Sequence, residues 1–408
     1  MISMVYVERE LEKQLKKYLK TREIIAIIGP RQCGKTTLAL QILDKLEKVN
    51  KIKFDDIKTL KLFDEDIDSF IQKHVMGFNY LFIDEVQYSK DSGKKLKFIY
   101  DSTKIKIIIS GSSAPDLSIS SLKYLVGRIF IFKLYPFSFR EFILAKEPKL
   151  STIYEKGEYS TTIEQELNKY LQEYMTFGGY PRVVLAKNSE EKITVLDNIY
   201  NTFLLKEIRE ILELSENDKL IKLMKALALQ IGSPINYNEL SNTTQFSHHQ
   251  LKRYLKILEE TYICKLLTPY YTNKRTELVK QPKVYFIDLG FRNACINNFS
   301  IERSDKGAMF ENVVFSDLLK HEIPLNFWQS KGGAEVDFII KERIPLEAKS
   351  NIKNLPRSYL AYLEKYNPKI GYIATSKKIT RKVNNTTIRF MPYTSIIAKK
   401  NIEVLKSS

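Results

Sequence analysis

Cysteines and long apolar runs are scarce in this sequence, and each scarcity excludes a class of protein. Three widely spaced cysteines among 408 residues cannot build a disulfide framework or a zinc site of cysteine ligands. Apolar stretches such as Ile24–Ile28 and Ile105–Ile109 have the length of a strand, whereas a membrane helix needs about 20 residues. The first residues lack the pattern of a secretory signal peptide. We therefore expect a cytoplasmic protein without a membrane partner.

The charge balance is strongly basic. The chain carries 65 Lys and Arg against 48 Asp and Glu, a formal net charge of +17. Such an excess attracts polyanions, so DNA is a possible partner. Because the lysines are spread over the whole chain, a lysine-rich surface without a nucleic-acid partner explains the charge equally well. Both interpretations stay open at this point.

The first part of the chain has the pattern of an α/β domain. An amphipathic helix is predicted over Val7–Leu19, and short apolar strands then alternate with helical stretches as far as residue 146. Near-continuous apolar strands of this kind are typical of a buried parallel sheet with helices on both faces. The predicted strands are Ile24–Ile28, Lys51–Phe54, Tyr80–Ile83, Lys106–Ile109 and Ile129–Lys133.

The pattern changes twice further along the chain. Residues 164–230 are predicted to be helical, with an interruption at the turn Gly178–Pro181. Residues 235–271 are predicted to form a small helix-turn-helix unit followed by a strand. From Met309 onwards the pattern predicts a helix, a strand hairpin, another helix and a strand over residues 369–375. The length of the chain and these changes indicate several domains.

A phosphate-binding loop is predicted directly after the first strand. The pattern G-x-x-x-x-G-K-T occurs here between an apolar strand and a helix, which is the context that gives it meaning. Its glycines let backbone N–H groups surround phosphate oxygens, and its lysine reaches the β- and γ-phosphates of ATP. The alternative is a glycine-rich turn with a surface lysine. The residues predicted to bind ATP are Gly29, Pro30, Arg31, Gln32, Cys33, Gly34, Lys35, Thr36 and Thr37.

A second motif supplies the acids that ATP hydrolysis needs. The strand Tyr80–Ile83 ends in Asp84 and Glu85. We expect Asp84 and the Thr36 hydroxyl to hold Mg²⁺, and Glu85 to polarise the attacking water. With Lys35, Glu85 is therefore a predicted catalytic residue.

Three further residues are candidates for sensing the γ-phosphate. Ser110 and Ser112 follow the strand that we expect beside the one ending in Asp84, although a plain turn would have the same sequence. Arg128 could act catalytically as an arginine finger or a sensor, either within one chain or towards a neighbouring subunit. A surface salt bridge is the alternative for Arg128.

The helix-turn-helix segment is a candidate for contact with DNA. Ser247 fits the N-cap of a helix over residues 248–258, whose leucines share one face and leave Lys252, Arg253 and Lys256 free. Basic side chains on such a helix are suited to a phosphate backbone. A structural winged-helix lid that never contacts DNA remains the alternative.

The C-terminal hairpin carries a further set of charged residues. Residues two apart in a strand share a face, so pairing of residues 334–340 with 344–349 would bring Asp337, Glu347 and Lys349 together. Glu311 on the preceding helix could be a fourth member. Two carboxylates and a lysine suit metal-assisted phosphodiester hydrolysis. On spacing alone, an exposed hairpin face with ordinary charges is the better supported interpretation.

Several of these motifs together resemble a widespread prokaryotic family of AAA-type P-loop ATPases with an uncharacterised C-terminal region. The resemblance implies an AAA-type ATPase domain over residues 1–160, a helical linker or lid over 161–230 and a winged helix over 231–290. It further implies a domain over residues 291–408 similar to the PD-(D/E)XK nuclease superfamily, with a restriction-endonuclease-like α/β fold. The motifs that carry it are G-P-R-Q-C-G-K-T-T at 29–37, D-E-V-Q at 84–87, S-G-S-S at 110–113, V-G-R at 126–128, L-Y-P-F-S-F-R-E-F at 134–142, G-G-Y-P at 178–181, K-V-Y-F-I-D-L-G at 283–290, E-V-D at 335–337 and E-A-K at 347–349.

The leading functional hypothesis is Mg²⁺-dependent ATP hydrolysis that drives a conformational switch, with DNA as a possible target. One alternative is an ATP-regulated, metal-dependent DNA nuclease that uses the C-terminal carboxylates. The other is a non-catalytic module in which nucleotide controls binding to DNA or to a protein. A homo-oligomer or a protein partner is compatible with each of them.

Overall fold

The computed structural model describes residues 6–112, 122–214, 217–271, 280–349, 354–376 and 378–407. The chain divides into two compact units. Unit 1 comprises Met1–Pro136 with Lys256–Ile263, and unit 2 comprises Phe137–Leu255 with Cys264–Ser408. The division into four regions at residues 160, 230 and 290 stays a prediction.

Unit 1 alternates strands and helices along the chain. Its strands are β1 (Ile24–Gly29), β2 (Val49–Lys53), β3 (Tyr80–Asp84), β4 (Lys106–Ser112) and β5 (Ile129–Lys133). Its helices are α1 (Glu10–Tyr18), α2 (Lys35–Leu43), α3 (Ile57–Glu65), α4 (Ile67–His74) and α5 (Ser92–Ser102), with 3₁₀ turns at Val86–Tyr88 and Leu122–Leu125.

The five strands form one sheet in the order β2-β3-β4-β1-β5, and every neighbouring pair is parallel. This is the P-loop NTPase fold, so the predicted α/β class and the five predicted strands are confirmed. Strand β4 lies between β1 and β3. The carboxyl ends of these three strands therefore meet at one edge, which is where open α/β sheets bind ligands.

The core of unit 1 lies on both faces of this sheet. Successive residues of β1 point to opposite sides, so Ile25 and Ile27 pack in one apolar cluster and Ile24 and Ala26 in another. The first cluster includes residues of α1 and α2, and the second includes residues of α3, α4 and α5. Burial on both faces explains why the strands are almost continuously apolar.

Unit 2 begins with helices. They are α6 (Phe139–Lys146), α7 (Pro148–Tyr154), α8 (Thr161–Phe177), α9 (Pro181–Val184), α10 (Ser189–Ile199), α11 (Arg209–Ile211), α12 (Asp218–Leu229), α13 (Tyr237–Thr244) and α14 (His248–Glu260). A π-helical segment, Tyr200–Ile208, connects α10 to α11, and the last residues of α14 belong to unit 1. The helical stretch and its interruption at Gly178–Pro181 are confirmed.

The rest of unit 2 contains two sheets. Strands β6 (Cys264–Leu267) and β7 (Lys283–Phe286) form an antiparallel pair. Strands β8 (Leu325–Gln329), β9 (Glu335–Ile340), β10 (Ile344–Ala348), β11 (Ile370–Ala374), β12 (Ile379–Val383) and β13 (Thr386–Met391) form a mixed sheet in the order β12-β13-β11-β10-β9-β8. The accompanying helices are α15 (Leu289–Cys295), α16 (Lys306–Lys320), α17 (Arg357–Tyr366), α18 (Tyr393–Ile396) and α19 (Lys399–Ser407).

Two of the motifs noted in the sequence meet inside unit 2 and have a structural explanation. The buried Asp288 carboxylate accepts hydrogen bonds from the N–H groups of Gly179 at 2.7 Å and Phe291 at 2.9 Å. Burial raises the pKa of Asp288 above its ordinary value. One carboxylate thus caps α15 and anchors the turn between α8 and α9, which accounts for an acid in this buried position.

Among the described residues, every helix is too short or not apolar enough to cross a lipid bilayer.

Candidate functional site

The predicted phosphate loop connects β1 to α2 at the carboxyl edge of the parallel sheet. Gly34 has a φ of 95°, a left-handed backbone conformation that glycine adopts without strain. A Cβ on Gly29 would lie 2.0 Å from the carbonyl oxygen of Leu134, so only glycine fits there. Helix α2 begins at Lys35, and its free N–H groups therefore lie in the loop.

The ammonium group of Lys35 is held inside the loop by the backbone. Its Nζ donates to the carbonyl oxygens of Gly29 at 3.1 Å and Pro30 at 2.9 Å, and the residue is only 6% exposed. Because both partners of Lys35 in these contacts are neutral carbonyl groups, its positive charge can pair with an anion bound in the loop. Of the other predicted loop residues, Pro30 and Cys33 are buried, Arg31 and Thr36 half-buried, and Gln32 and Thr37 exposed.

Cys33 packs against the chain that follows β5. Its Sγ donates to the carbonyl oxygen of Leu134 at 3.3 Å, and burial raises the pKa of its thiol. The thiol is therefore an unreactive packing group.

The side chains predicted to hold a metal lie together at the same edge. The Thr36 hydroxyl donates to the two carboxylate oxygens of Asp84 at 3.1 and 2.9 Å, and the Ser110 hydroxyl also donates to Asp84. Asp84 is 4% exposed. Carboxylate and hydroxyl oxygens are the ligands that Mg²⁺ prefers, so this donor set fits the metal of a Mg·ATP complex.

Glu85 has an unusual backbone and a specific partner. Its φ of 55° is a left-handed conformation that costs a residue other than glycine about 1 kcal/mol or more. Its carboxylate accepts a hydrogen bond from the side-chain amide of Gln87, which also donates to Ser112 Oγ at 3.0 Å. Ser112 therefore lies beside the Glu85 side chain, whereas Ser110 lies beside Asp84.

Two side chains at this site were not among the predicted site residues. Arg9 is buried and donates to the carbonyl oxygens of Cys33 at 2.8 Å and Tyr135 at 2.6 Å, so it holds the loop against the chain after β5. Gln87 contacts Glu85 as described. Arg9 precedes α1 in a charged segment and gives no signal in the sequence, whereas Gln87 lies within the D-E-V-Q motif and could have been noticed.

The structure contradicts a role for Arg128 at the phosphate loop of its own chain. Arg128 directly precedes β5, and the first residue of β5 pairs with Ile24 at the start of β1. It therefore lies at the amino edge of the sheet, and the loop lies at the opposite edge, about 16 Å away along β1. Its guanidinium pairs with Asp101 at 2.9 Å. The predicted surface salt bridge is present, and a role towards a neighbouring subunit is untested.

The C-terminal hairpin in unit 2 brings the predicted charged residues together. Strands β9 and β10 pair with Leu346 opposite Phe338, which places Glu347 next to Asp337. Lys349 Nζ lies 3.7 Å from Asp337 Oδ1 and 3.5 Å from Glu347 Oε1. Both carboxylates also accept backbone hydrogen bonds, Asp337 from Ala348 at 2.7 Å and Glu347 from Asp337 at 3.3 Å. The face carrying the carboxylates is buried, so the expectation of an exposed face with ordinary charges is wrong.

Glu311 contacts a different set of partners. It accepts a hydrogen bond from Tyr285 and lies 3.5 Å from the ammonium of Lys283, which also pairs with Glu335 at 2.5 Å. Burial, followed by the charge of Asp337, raises the pKa of Glu311 to about 7 and that of Glu347 to about 8. We call Glu311, Glu335, Asp337, Glu347, Lys283 and Lys349 the carboxylate cluster.

The cluster has limited capacity to bind a metal ion without another ligand. No group of three or more His, Cys, Asp or Glu side chains in the described ranges is arranged to hold one. Two carboxylates supplemented by phosphate oxygens of a substrate would still suit Mg²⁺.

Helix α14 has the two faces predicted for it. Leu251, Leu255 and Leu258 are buried, and Lys252, Arg253 and Lys256 are exposed. Two of the cations have acidic neighbours, Arg253 at 3.6 Å from Glu213 and Lys256 at 3.8 Å from Glu260. Part of the segment between β6 and β7, where a wing is predicted, lies outside the described residues. The winged helix stays a prediction.

Comparison with known families supports the identity of the first part of the chain. Residues 21–143 match the family described as AAA domain. That segment is similar to an AAA domain. Residues 168–302 and 306–396 match two families described as domains of unknown function, DUF8612 and DUF4143. The AAA domain accounts for the parallel sheet and the phosphate loop, while the other two matches carry no stated activity.

The relatives extend over most of the chain. An uncharacterized protein of Haemophilus influenzae is 27% identical over 358 residues, covering 83% of this chain and 84% of the relative. One of Methanocaldococcus jannaschii is 27% identical over 370 residues, covering 86% and 80%. Among solved structures, a Walker-type ATPase of Pyrococcus abyssi aligns with 71% of this chain and 96% of its own, at 15% identity and a TM-score of 0.45.

Proposed function

We propose that the chain binds Mg·ATP in the phosphate loop of its AAA domain and hydrolyses it. The observation that carries this proposal is the convergence of five side chains at one edge of the parallel sheet: Lys35, Thr36, Asp84, Glu85 and Ser110. A cation, a metal-binding hydroxyl–carboxylate pair and a second acid are together what phosphoryl transfer to water requires.

Binding would begin with the phosphates. Lys35 would exchange its carbonyl partners, Gly29 and Pro30, for oxygens of the β- and γ-phosphates, which carry full charge and make stronger hydrogen bonds. The N–H groups at the start of α2 would donate to the same phosphates.

Thr36 and Asp84 are the residues that would hold the magnesium ion. The Thr36 hydroxyl now donates directly to the Asp84 carboxylate, and this contact would open to admit the ion. Mg²⁺ supplies neutralisation of the charge on the phosphate oxygens. Ser110 would keep the Asp84 carboxylate in place during this exchange.

Glu85 would act on the water. Its carboxylate would accept a proton from the water as the water oxygen bonds to the γ-phosphorus and the bond from that phosphorus to the β–γ bridging oxygen breaks. The products are ADP and inorganic phosphate. Ser112, at the end of β4 and beside Glu85, would change its contacts when the γ-phosphate leaves.

We further propose that hydrolysis drives a conformational switch in the predicted lid (161–230), winged helix (231–290) and C-terminal domain (291–408). A homo-oligomer, a protein partner or DNA would be the target of this switch. Support for DNA comes from the net charge of +17 and from the exposed cations of α14.

The proposal is tested by measuring ATP turnover of the purified chain with Mg²⁺ or with EDTA, each with and without single-stranded and duplex DNA. Turnover that requires Mg²⁺ supports it, and stimulation by DNA would indicate a machine that works on DNA. No turnover above background with Mg²⁺ under any of these conditions would contradict it.

A second candidate function is metal-dependent cleavage of DNA by the carboxylate cluster. The observation in its favour is the pair of buried carboxylates, Asp337 and Glu347, on paired strands, with the exposed Lys349 directly after β10 and within 4 Å of both. This is the set that a PD-(D/E)XK-like nuclease would use. The two carboxylates and a substrate phosphate would hold the ion, and Lys349 would orient the attacking water. Glu311 would contribute through its proximity to Asp337.

Cleavage of single-stranded, duplex and branched DNA with Mg²⁺ or Mn²⁺ tests this candidate. Asp337→Ala and Lys349→Ala should abolish any cleavage, whereas Glu364→Ala, at an exposed position of α17, should retain it. Failure of the wild-type chain to cut any of these substrates would rule the candidate out.

The third candidate is a module that binds DNA without cutting it. The exposed Lys252, Arg253 and Lys256 favour it. Its signature is an affinity for DNA that falls steeply with salt concentration, since phosphate contacts release counterions. Replacing the three cations with alanine should reduce that salt slope by about 3 if they contact phosphates.

A further inference from the structure

Gln87 contacts the predicted water-polarising acid, and the proposed mechanism gives it no role. It lies in the 3₁₀ turn Val86–Tyr88, directly after Asp84 and Glu85. Its Nε2 donates to Glu85 Oε2 and to Ser112 Oγ, the latter at 3.0 Å. One amide group therefore connects the predicted water-polarising acid to the end of β4.

The place where it attaches is itself next to the phosphate loop. Ser112 is the last residue of β4 and pairs in register with Gly29, the first residue of that loop. A fixed hydrogen bond to Ser112 thus gives the Glu85 carboxylate a definite position relative to β1. Among the described residues, no other side chain donates a hydrogen bond to that carboxylate.

The backbone conformation of Glu85 needs a stabilising contact. Its left-handed conformation, with φ 55°, turns the chain out of the strand immediately after Asp84. A residue other than glycine stays in that conformation only where its surroundings favour it. The hydrogen bond from Gln87 to the Glu85 side chain is one contact that favours this conformation.

The other end of the amide is unsatisfied. Gln87 Oε1 is buried and accepts no hydrogen bond from the residues that the structure describes. A glutamine with a purely structural role would have partners at both ends, because a buried acceptor without a donor costs about 1–3 kcal/mol. This amide is partnered only towards Glu85 and Ser112.

We propose that Gln87 is a positioning residue for ATP hydrolysis. Its NH₂ group holds the Glu85 carboxylate in the orientation that accepts a proton from the attacking water. Its Oε1 remains available for a donor that arrives with the bound nucleotide. The inference rests on the proposed ATPase function and adds to it the group through which Glu85 is oriented.

The test measures ATP affinity and kcat separately in Gln87→Leu and Gln87→Glu. Leucine removes the amide, and glutamate replaces the donor with a second anion of the same shape. Since a hydrogen bond to a charged group is worth one to two powers of ten, kcat should fall about 10- to 100-fold. The dissociation constant for Mg·ATP should change less than about twofold, which also shows that the variant is folded.

A double-mutant comparison separates positioning from a general structural effect. If Gln87 acts through Glu85, Gln87→Leu should have no further effect on the residual single-turnover rate in a Glu85→Gln background. The matched control is Tyr88→Ala, which removes an exposed side chain from the same turn and should retain the wild-type kcat.

The outcomes distinguish this inference from the ATPase proposal. If Glu85→Gln stops turnover but both Gln87 variants retain the wild-type kcat, the role of Gln87 is wrong and the ATPase proposal stands. Equal losses in ATP affinity and kcat in the Gln87 variants would also overturn the positioning role. If wild type and Glu85→Gln turn over ATP at the same rate, the proposed mechanism itself fails.

Discussion

Two buried acidic sites, one in each unit, differ in the groups that face their carboxylates. In the nucleotide site, Asp84 faces the neutral hydroxyls of Thr36 and Ser110. In the carboxylate cluster, Asp337 and Glu347 face the ammonium group of Lys349. Neutral partners leave the charge of Asp84 available to a cation, whereas lysines compensate much of the charge in the cluster.

The charge balance of the cluster makes the difference clearer. Its four carboxylates and two lysines leave two negative charges, which disappear when Glu311 and Glu347 hold protons. The raised pKa values of these two acids favour that protonated state. We therefore expect the nucleotide site to bind a cation at Asp84 and the cluster to be close to neutral without one.

Lys35→Ala should have the largest effect, which is on ATP binding. It should alter the nucleotide site and leave the carboxylate cluster unchanged. It removes the cation of the nucleotide site, and the loss of two charge-assisted hydrogen bonds to phosphate should weaken ATP binding about 100-fold or more. Titration with a fluorescent ATP analogue measures this. The exposed Lys45→Ala is the matched control and should bind as wild type does.

Asp84→Asn should come next, because it keeps the size of the side chain and removes its charge. We expect ATP to bind with an affinity that no longer rises with Mg²⁺, together with a loss of at least about 10-fold in turnover. Affinity measured with Mg²⁺ and with EDTA checks this, with the exposed Asp68→Asn as control. An undiminished Mg²⁺ effect would place the ion elsewhere.

From the carboxylate cluster we expect an effect of pH on the stability of the fold, smaller than the effects of Lys35→Ala and Asp84→Asn on the nucleotide site. The folded-state pKa of Glu347, about 8, lies above its ordinary value of 4.5, so the folded chain holds a proton that the unfolded chain releases. This contribution is complete below pH 4.5 and is lost as the pH rises through 8. In EDTA, the thermal midpoint of unfolding should therefore fall by a few degrees between pH 5 and 8, and less in Glu347→Gln. An equal fall in both proteins would argue against the raised pKa.

Arg128→Ala should have the smallest effect. Its ion pair with Asp101 is exposed to solvent, and exposed pairs contribute little to stability. At concentrations where the chain is monomeric, its kcat and thermal midpoint should match those of wild type. A loss of kcat that appears only as the concentration rises would instead indicate an arginine finger between subunits.

The sequence is informative about the nucleotide site because its residues lie in short motifs of restricted chemistry. Gly29 to Thr36 and Asp84–Glu85 come from two segments, each at the end of an apolar strand, and parallel strands bring such ends together. Arg9 could not be predicted, since it reaches a carbonyl 126 positions away. Arg128 directly precedes the predicted strand Ile129–Lys133, so its place at the amino edge could have been read from the sequence, and its role towards a neighbouring subunit stays a prediction.

The cluster was predicted less completely. The spacing of Asp337, Glu347 and Lys349 was sufficient once the hairpin was paired in register. Lys283 comes from a distant strand, so its pairing with Glu311 and Glu335 depends on tertiary structure. Strands β8, β12 and β13 were also missed. Strands β12 and β13 are partly exposed and polar, so they lack the apolar run that identified the others.

The most direct test of the central claim is Glu85→Gln, measured for Mg·ATP affinity and for single-turnover hydrolysis on the same preparation. We predict an affinity within about twofold of wild type and a fall in the rate of at least about 100-fold, the usual range for loss of a general base. Hydrolysis by Glu85→Gln at the wild-type rate would show that Glu85 does not act on the water and would contradict the account.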